Sequence, residues 1–186
     1  LPDIGRDLAV TNANDRQSII TLFFLGMAFG SLIYGPLADH YGRRPVLIGA
    51  LVLMLVSTLL CTVAPSFPLL LGCRFIAGFG AAACRVIVLS IVRDCYRGDM
   101  MARIMSLIMF TFTIVPMAAP SLGAVLMTFA PWRWIFGILA LLICVMLVWL
   151  VLRLPETLDP AHRIQVHPRE LAHTFARVVK NRGSFG

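Results

Sequence analysis

The amino-acid sequence predicts an all-α, polytopic helical membrane protein, and three observations point to this fold class. Hydrophobic residues make up 59% of the 186 residues and charged residues only 13%, whereas a soluble domain is about half apolar and about a quarter charged. The mean hydropathy is +0.88. The charged residues also cluster between long apolar runs. The chain is therefore expected to lie in a lipid bilayer.

Five apolar runs are long enough to be membrane-spanning helices, because about 20 apolar residues cross the hydrocarbon core of a bilayer. Backbone polar groups in lipid must be satisfied within the segment, which favours an α-helix for each run. In chain order, the expected spans are Gln17–Ala38, Val46–Ala64, Leu69–Val92, Ile104–Phe129 and Trp134–Leu152.

The connection between the first two spans is the most informative segment. Gly35–Pro45 reads GPLADHYGRRP and concentrates an acid, two arginines and two glycines in a very short loop. A loop this short makes its two helices antiparallel neighbours, so its charges lie where helix ends meet at one membrane face. We interpret it as a charged hinge that locks and unlocks.

The distribution of basic residues predicts the orientation in the membrane, because Lys and Arg are enriched in short cytoplasmic loops. Eleven lie in the connections at 39–45 and 93–103 and in the tail from Arg153, whereas three lie on the other side. Residues 39–45 and 153–186 are therefore expected in the cytoplasm and residues 1–16 outside. This distribution also explains the net charge of +7 without nucleic acid as a partner.

Two arginines, Arg74 and Arg85, lie inside a predicted span. Eleven residues make about three helical turns, so both side chains share one face of the helix. No predicted span contains Asp or Glu, and a membrane-buried arginine is expected to face a cavity or a partner. The alternative is structural: Arg74 would bond backbone carbonyls to fix helix packing, and Arg85 would extend towards the membrane surface.

The fourth span contains Pro116, Pro120 and Gly123. Proline removes a backbone hydrogen bond and kinks a helix, which membrane helices tolerate when neighbours satisfy the freed carbonyls. The pair of prolines followed by glycine predicts a bent helix that faces a moving neighbour.

These motifs resemble those of a known family. Gly35–Arg44 resembles the signature between the second and third helices of major facilitator superfamily transporters, and Arg74–Ala82 resembles the fourth-helix motif of proton-coupled members. Ala119–Ala124 is similar to the fifth-helix antiporter motif, with two glycines replaced by alanine. Trp132–Phe136 and Leu154–Thr157 resemble the start and end of the sixth helix in the drug:proton antiporter branch, in its bicyclomycin-resistance-like members.

The resemblance implies a twelve-helix protein of two six-helix bundles, with substrate bound near the midplane. Residues 1–154 would hold the outer end of helix 1 and helices 2–6 of the N-terminal bundle. Residues 155–186 would form the central cytoplasmic loop, and the C-terminal half would be the missing partner.

The resemblance also assigns roles to particular residues. The inner gate that holds the outward-facing state would comprise Gly35, Asp39, Gly42, Arg43 and Asp94. Proton coupling or the substrate cavity would involve Arg74 and Arg85, and the helix-5 antiporter-type kink would be formed by Pro116, Pro120 and Gly123.

The resulting functional hypothesis is a secondary transporter that exports drugs or other small organic compounds in exchange for protons, in a bacterial inner membrane. One alternative is a uniporter or symporter of the same fold that imports an organic anion. A membrane-embedded enzyme or scaffold is a third reading. The sequence shows no nucleophile–base pair, metal-ligand spacing or phosphate-binding glycine loop, so we expect no catalytic residues, metal or cofactor.

Overall fold

The computed structural model describes residues 13–129 and 131–156 of the chain. All five helices in this part are long and apolar enough to cross a membrane. The predicted all-α fold with five spans is therefore confirmed. The expected end of a preceding helix within residues 1–12, and all but residues 155 and 156 of the loop predicted for 155–186, lie outside the described residues. The helices are α1 (Ala13–Tyr41), α2 (Arg43–Thr62), α3 (Phe67–Cys95), α4 (Gly98–Phe129) and α5 (Trp132–Arg153).

Most helices extend beyond the apolar runs that predict them. The largest extension at one end is in α4, which begins at Gly98, before the expected Ile104. The hydropathy of the sequence marks only the part of a helix that lies in the hydrocarbon core. The helix itself continues into the polar interface, where water solvates the charged side chains. In contrast, α2 ends at Thr62 instead of Ala64, because Ala64 precedes a proline and that position disfavours helical backbone.

The connection predicted at residues 39–45 is much shorter in the structure, because only Gly42 lies outside the helices. Helix α1 continues through Pro36 to Tyr41, and α2 begins at Arg43. Gly42 has φ 103°, a left-handed conformation that glycine adopts without steric cost. Pro45 falls in the first turn of α2, where its missing N–H has no intrahelical partner to lose.

Helices α1 and α3 pack closely because glycines remove side chains from their interface. A Cβ atom at Gly26 would overlap the carbonyl oxygen of Phe75, and one at Gly78 would overlap the carbonyl oxygen of Phe23. Lipid tails are as apolar as leucine, so helices in a membrane associate through such close backbone packing instead of hydrophobic burial.

Helix α3 also packs against α2 through a glycine. A Cβ atom at Gly80 would lie 2.7 Å from the carbonyl oxygen of Ala50. Helix α3 is thus held by α1 through Gly78 and by α2 through Gly80, which makes it the central helix of the described bundle.

The buried apolar residues form two clusters, one towards each end of the bundle. One cluster contains Tyr34, Ala38, Val46, Leu47, Ala50, Leu51, Ala82, Ala83, Ile87, Ile143 and Leu150. The other contains Ile19, Cys61, Ala64, Leu70, Cys73, Trp132 and Phe136. Neither includes a residue of α4, which has no buried residue among the described ones. Helices α1, α2, α3 and α5 therefore form the packed unit, with α4 at its edge.

The glycine packing predicts a difference between two alanine substitutions in α3. Gly78→Ala should lower the midpoint of thermal unfolding of the purified intact transporter, because overpacking typically costs about 1–3 kcal/mol. Gly72→Ala is the matched control, since a Cβ atom there meets nothing within 4 Å. Equal midpoints for the two variants would contradict the close α1–α3 contact.

Candidate functional site

Arg43 joins two carboxylates at one end of the bundle. Its Nη1 lies 2.5 Å from Oδ1 of Asp39, and its Nε donates to Oδ2 of Asp94 at 3.1 Å. The Arg43 side chain is only 10% exposed, against 36% for Asp39 and 28% for Asp94. Such charge-assisted pairs are shorter and stronger than neutral hydrogen bonds. Arg43 thereby ties the start of α2 to the ends of α1 and α3.

The three charges oppose the dipoles of the helices that carry them. Asp39 and Asp94 lie in the last turns of α1 and α3, where the helix end is already negative. Arg43 is the first residue of α2, where the helix end is positive. Each charge is therefore unfavourable on its own helix, by about 0.3–1 kcal/mol at an exposed terminus. Mutual pairing, not the helices, stabilises the three charges.

Glu156 caps the start of α2 and was missed by the sequence analysis. The N–H groups of Arg43 and Arg44 donate to its Oε1 and Oε2 at 3.0 and 3.3 Å. These N–H groups are among the four at a helix start that have no intrahelical acceptor. The available signal was an acid that directly follows the last span, in the motif Leu154–Thr157. We call Asp39, Arg43, Asp94 and Glu156 the charged cluster.

Arg44 also connects α2 to α5, but here the side chain belongs to α2 and the backbone group to α5. Its Nη2 donates to the carbonyl oxygen of Val151 at 2.8 Å, in the last turn of α5, where carbonyl groups lack intrahelical donors. Sequence reasoning gave Arg44 no role beyond orientation in the membrane. The structure shows that Arg44 and Glu156 together join the ends of α2 and α5.

The two glycines predicted for the gate have different surroundings. Gly42 is buried, and a Cβ atom there would lie 2.6 Å from Oε2 of Glu156. Both its φ angle and the approach of Glu156 therefore require glycine. A Cβ atom at Gly35 would meet nothing within 4 Å, so the described residues do not require glycine at this position.

Arg74 lies near the other end of the bundle, between aromatic rings. Its Cζ lies 4.2 Å from the ring centroid of Phe136 and 5.9 Å from that of Phe23, within the range of cation–π attraction. Its Nε is buried and has no hydrogen-bond partner among the described residues. The carbonyl bonding expected for a purely structural arginine is therefore not seen in the described part of the chain.

Arg85 lines a pocket between α1 and α3, which we call the α1–α3 pocket. Its volume is about 340 Å³. The guanidinium lies 5.8 Å from the ring centroid of Phe112 on α4. The pocket is lined by Phe24, Met27, Ala28, Ser31, Ala82, Arg85, Val86 and Leu89. Arg74 is not part of this lining, so the two arginines of α3 have different surroundings, about three helical turns apart on the same helix.

The predicted kink residues lie in α4, away from the charged cluster. Helix α4 remains helical through Pro116 and Pro120, both of which are exposed. A Cβ atom at Gly123 would meet nothing within 4 Å. No described residue packs against these positions closely enough to bury them, so the moving neighbour predicted for this helix is not among the described residues.

The charged cluster is held together by ion pairs and helix capping. Within residues 13–129 and 131–156, no group of three or more His, Cys, Asp or Glu residues could hold a metal ion. The described carboxylates of the cluster are instead engaged by Arg43 or by the start of α2. Such a set can hold helix ends together or release them as its charges change.

Comparison with known proteins identifies the family. Residues 1–184 match the Major Facilitator Superfamily. The chain belongs to this superfamily. The family resemblance drawn from the sequence motifs is thus confirmed, and Asp39 and Arg43 of the charged cluster lie in the segment that carries the superfamily-like signature.

Curated relatives in the superfamily include resistance proteins. The chain is 34% identical over its whole length to the uncharacterized MFS-type transporter YdgK of Bacillus subtilis. It is 31% identical over 99% of its length to a bicyclomycin resistance protein homolog of Haemophilus influenzae. Identity to the multidrug resistance protein MdtL of Escherichia coli is 34% over 91% of the chain. The chain spans 46%, 46% and 43% of these relatives, which is less than half of each.

A solved structure supports the superfamily fold. The chain is similar to the crystal structure of the human organic anion transporter MFSD10, with a TM-score of 0.68 and 23% sequence identity. The likeness covers 90% of this chain and 40% of that one. At this identity the comparison concerns the fold alone.

The geometry at Glu156 predicts that its charge stabilises the start of α2. Glu156→Gln should lower the unfolding midpoint of the intact transporter, because a negative charge at a helix start is worth about 0.3–1 kcal/mol. Asp99→Asn is the comparison variant: it removes the same charge from the first turn of α4, but Asp99 is exposed, so the midpoint should fall less than for Glu156→Gln. An unchanged midpoint for Glu156→Gln would refute the capping role.

Proposed function

We propose that this chain is part of a secondary transporter that exports drugs or other small organic compounds in exchange for protons. The names of two relatives, a bicyclomycin resistance protein homolog and a multidrug resistance protein, support export of toxic compounds. The chain would supply helices 2–6 of a twelve-helix protein, and a second bundle would complete the substrate path. Transport would proceed by alternating access in a bacterial inner membrane.

The observation that carries the proposal is the bridge from Arg43 to Asp39 and Asp94. It joins three helices at one end of the bundle, whereas the α1–α3 pocket lies between the middle parts of α1 and α3. A lock at one end and a pocket at mid-depth are the parts that alternating access requires. Gly35 and Gly42 would complete this gate, Gly42 by turning the chain and Gly35 by leaving room for a neighbour.

The distribution of basic residues supports the cytoplasmic side for the charged cluster. The connections next to the cluster and the tail after α5 carry most of the Lys and Arg residues, and such an excess marks cytoplasmic loops. A closed cluster on this side would hold the protein open towards the outside. Breaking its ion pairs would shift the population towards the inward-facing state.

Arg74 is the proposed element of proton coupling. A charged side chain inside the membrane is costly and is normally paired. The buried Nε of Arg74 has no hydrogen-bond partner among the described residues, which suggests a partner that changes during transport. Pro116, Pro120 and Gly123 would let α4 bend as the bundles move. The second candidate function is import of an organic anion by the same fold, which Arg85 in the pocket favours.

Substitution of Asp39 tests the proposed gate. In the intact transporter, Asp39→Asn should abolish drug and dye efflux while membrane insertion and expression remain normal, because the neutral amide no longer pairs with Arg43. Efflux is measured by dye retention in cells that express the gene. Asp15→Asn, at the exposed start of the same helix, is the control and should transport normally.

Dissipating the proton gradient tests the direction of transport and its coupling to protons. An uncoupler should raise the dye content of cells that express the unmodified transporter to that of cells without it. Uptake of organic anions with no efflux would favour the import function. Normal efflux by the Asp39→Asn variant would contradict the proposed role of Asp39 in the gate.

A further inference from the structure

The α1–α3 pocket has the size and lining of a small-molecule site. Its volume of about 340 Å³ lies at the lower end of the range of about 300–1,000 Å³ for ligand pockets, which are mostly apolar with a few polar groups. Phe24 and Met27 from α1 and Val86 and Leu89 from α3 supply apolar surface. Arg85 supplies the only formal charge in the lining.

The charge of Arg85 is not compensated by the described residues. Among residues 13–129 and 131–156, no carboxylate pairs with it, and its described partner is the ring of Phe112 at 5.8 Å. The nearest acid on the same helix is Asp94, about 13 Å further along the axis and already bonded to Arg43. The Arg85 side chain is also exposed in the described bundle, so a ligand can reach it.

The position of Arg85 argues against a role as a surface anchor. It lies ten residues before the end of α3 at Cys95, or about 15 Å along the axis at 1.5 Å per residue. The pocket residues of α1, from Phe24 to Ser31, also lie around the middle of their helix. A guanidinium at this depth, within an apolar pocket, repels cations and attracts anions.

We propose that the α1–α3 pocket binds amphiphilic organic anions, with Arg85 holding the anionic group. The guanidinium presents a planar set of donors that matches a carboxylate or sulfonate, while the apolar walls hold a compact ring or chain. This inference rests on the proposed transport function and names the charge class of the cargo. It assigns binding to Arg85 alone, because Arg74 lies outside the pocket lining.

Three naphthalene derivatives that share a ring and differ in charge test the proposal. They are 2-naphthalenesulfonate, neutral 2-naphthalenesulfonamide and the cation 2-naphthyltrimethylammonium. Binding to the purified intact transporter is measured by calorimetry in detergent, without any gradient. The unmodified protein should bind the sulfonate about tenfold or more tighter than the other two, which corresponds to one charge-assisted contact.

Substitutions at Arg85 decide whether its charge is the cause. Arg85→Gln should lower sulfonate affinity about tenfold or more and leave sulfonamide affinity unchanged, whereas Arg85→Lys should retain part of the preference for the anion. Arg103→Gln is the control, because it removes the same charge from an exposed position on α4. Equal losses for the sulfonate and the sulfonamide would overturn the proposal in favour of a role in pocket shape.

A second variant keeps the test valid if Arg85→Gln misfolds. Ala28→Leu fills the pocket from the opposite wall, on α1, and should weaken binding of the sulfonate with Arg85 intact. Tighter binding of the cation than of the sulfonate, or binding of none of the three probes, would also overturn the proposal. These binding measurements need no proton gradient, so they are independent of the efflux assay. If the protein binds the anion but shows no efflux that an uncoupler abolishes, the export function is refuted and the assignment of the pocket stands.

Discussion

Arg43 is the residue on which the arrangement of the charged end depends. It holds Asp39 at the end of α1 and Asp94 at the end of α3 while lying at the start of α2. All three charges are unfavourable with respect to their own helix dipoles, so the pairing compensates for three unfavourable placements. A cluster of this kind is stable only while it is complete, and the loss of one charge weakens the others. This property suits a lock that must open.

Helix α3 links the charged cluster to the interior of the bundle. It approaches α1 through Gly78 and α2 through Gly80, on different faces, so closely that backbone meets backbone. The same helix carries Asp94 in the charged cluster, Arg85 in the pocket and Arg74 among aromatic rings. Because packed backbones slide or rock as rigid units instead of deforming gradually, a change at the cluster can move both arginines together.

The sequence predicted the five spans because hydrocarbon thickness imposes a length that apolar runs reveal directly. The resemblance to the superfamily implied which charges converge, and the structure brings Asp39, Arg43 and Asp94 together. The sequence did not predict that Gly42 alone turns the chain, because the helical ladder continues through polar residues that hydropathy treats as loop. Glu156 was missed because its bond to α2 joins residues 113 positions apart, a tertiary contact with no local pattern.

Accessibility of the pocket from the two sides of the membrane tests the central claim that the cluster closes the cytoplasmic side. Ala28→Cys, in the pocket lining, would be introduced into the intact transporter after its native cysteines have been replaced by serine. A membrane-impermeant maleimide is applied to cells and to inverted vesicles, with and without Asp39→Asn. We expect Asp39→Asn to speed labelling from the cytoplasmic side and slow it from the outside. Identical labelling rates with and without Asp39→Asn on both sides would contradict the account.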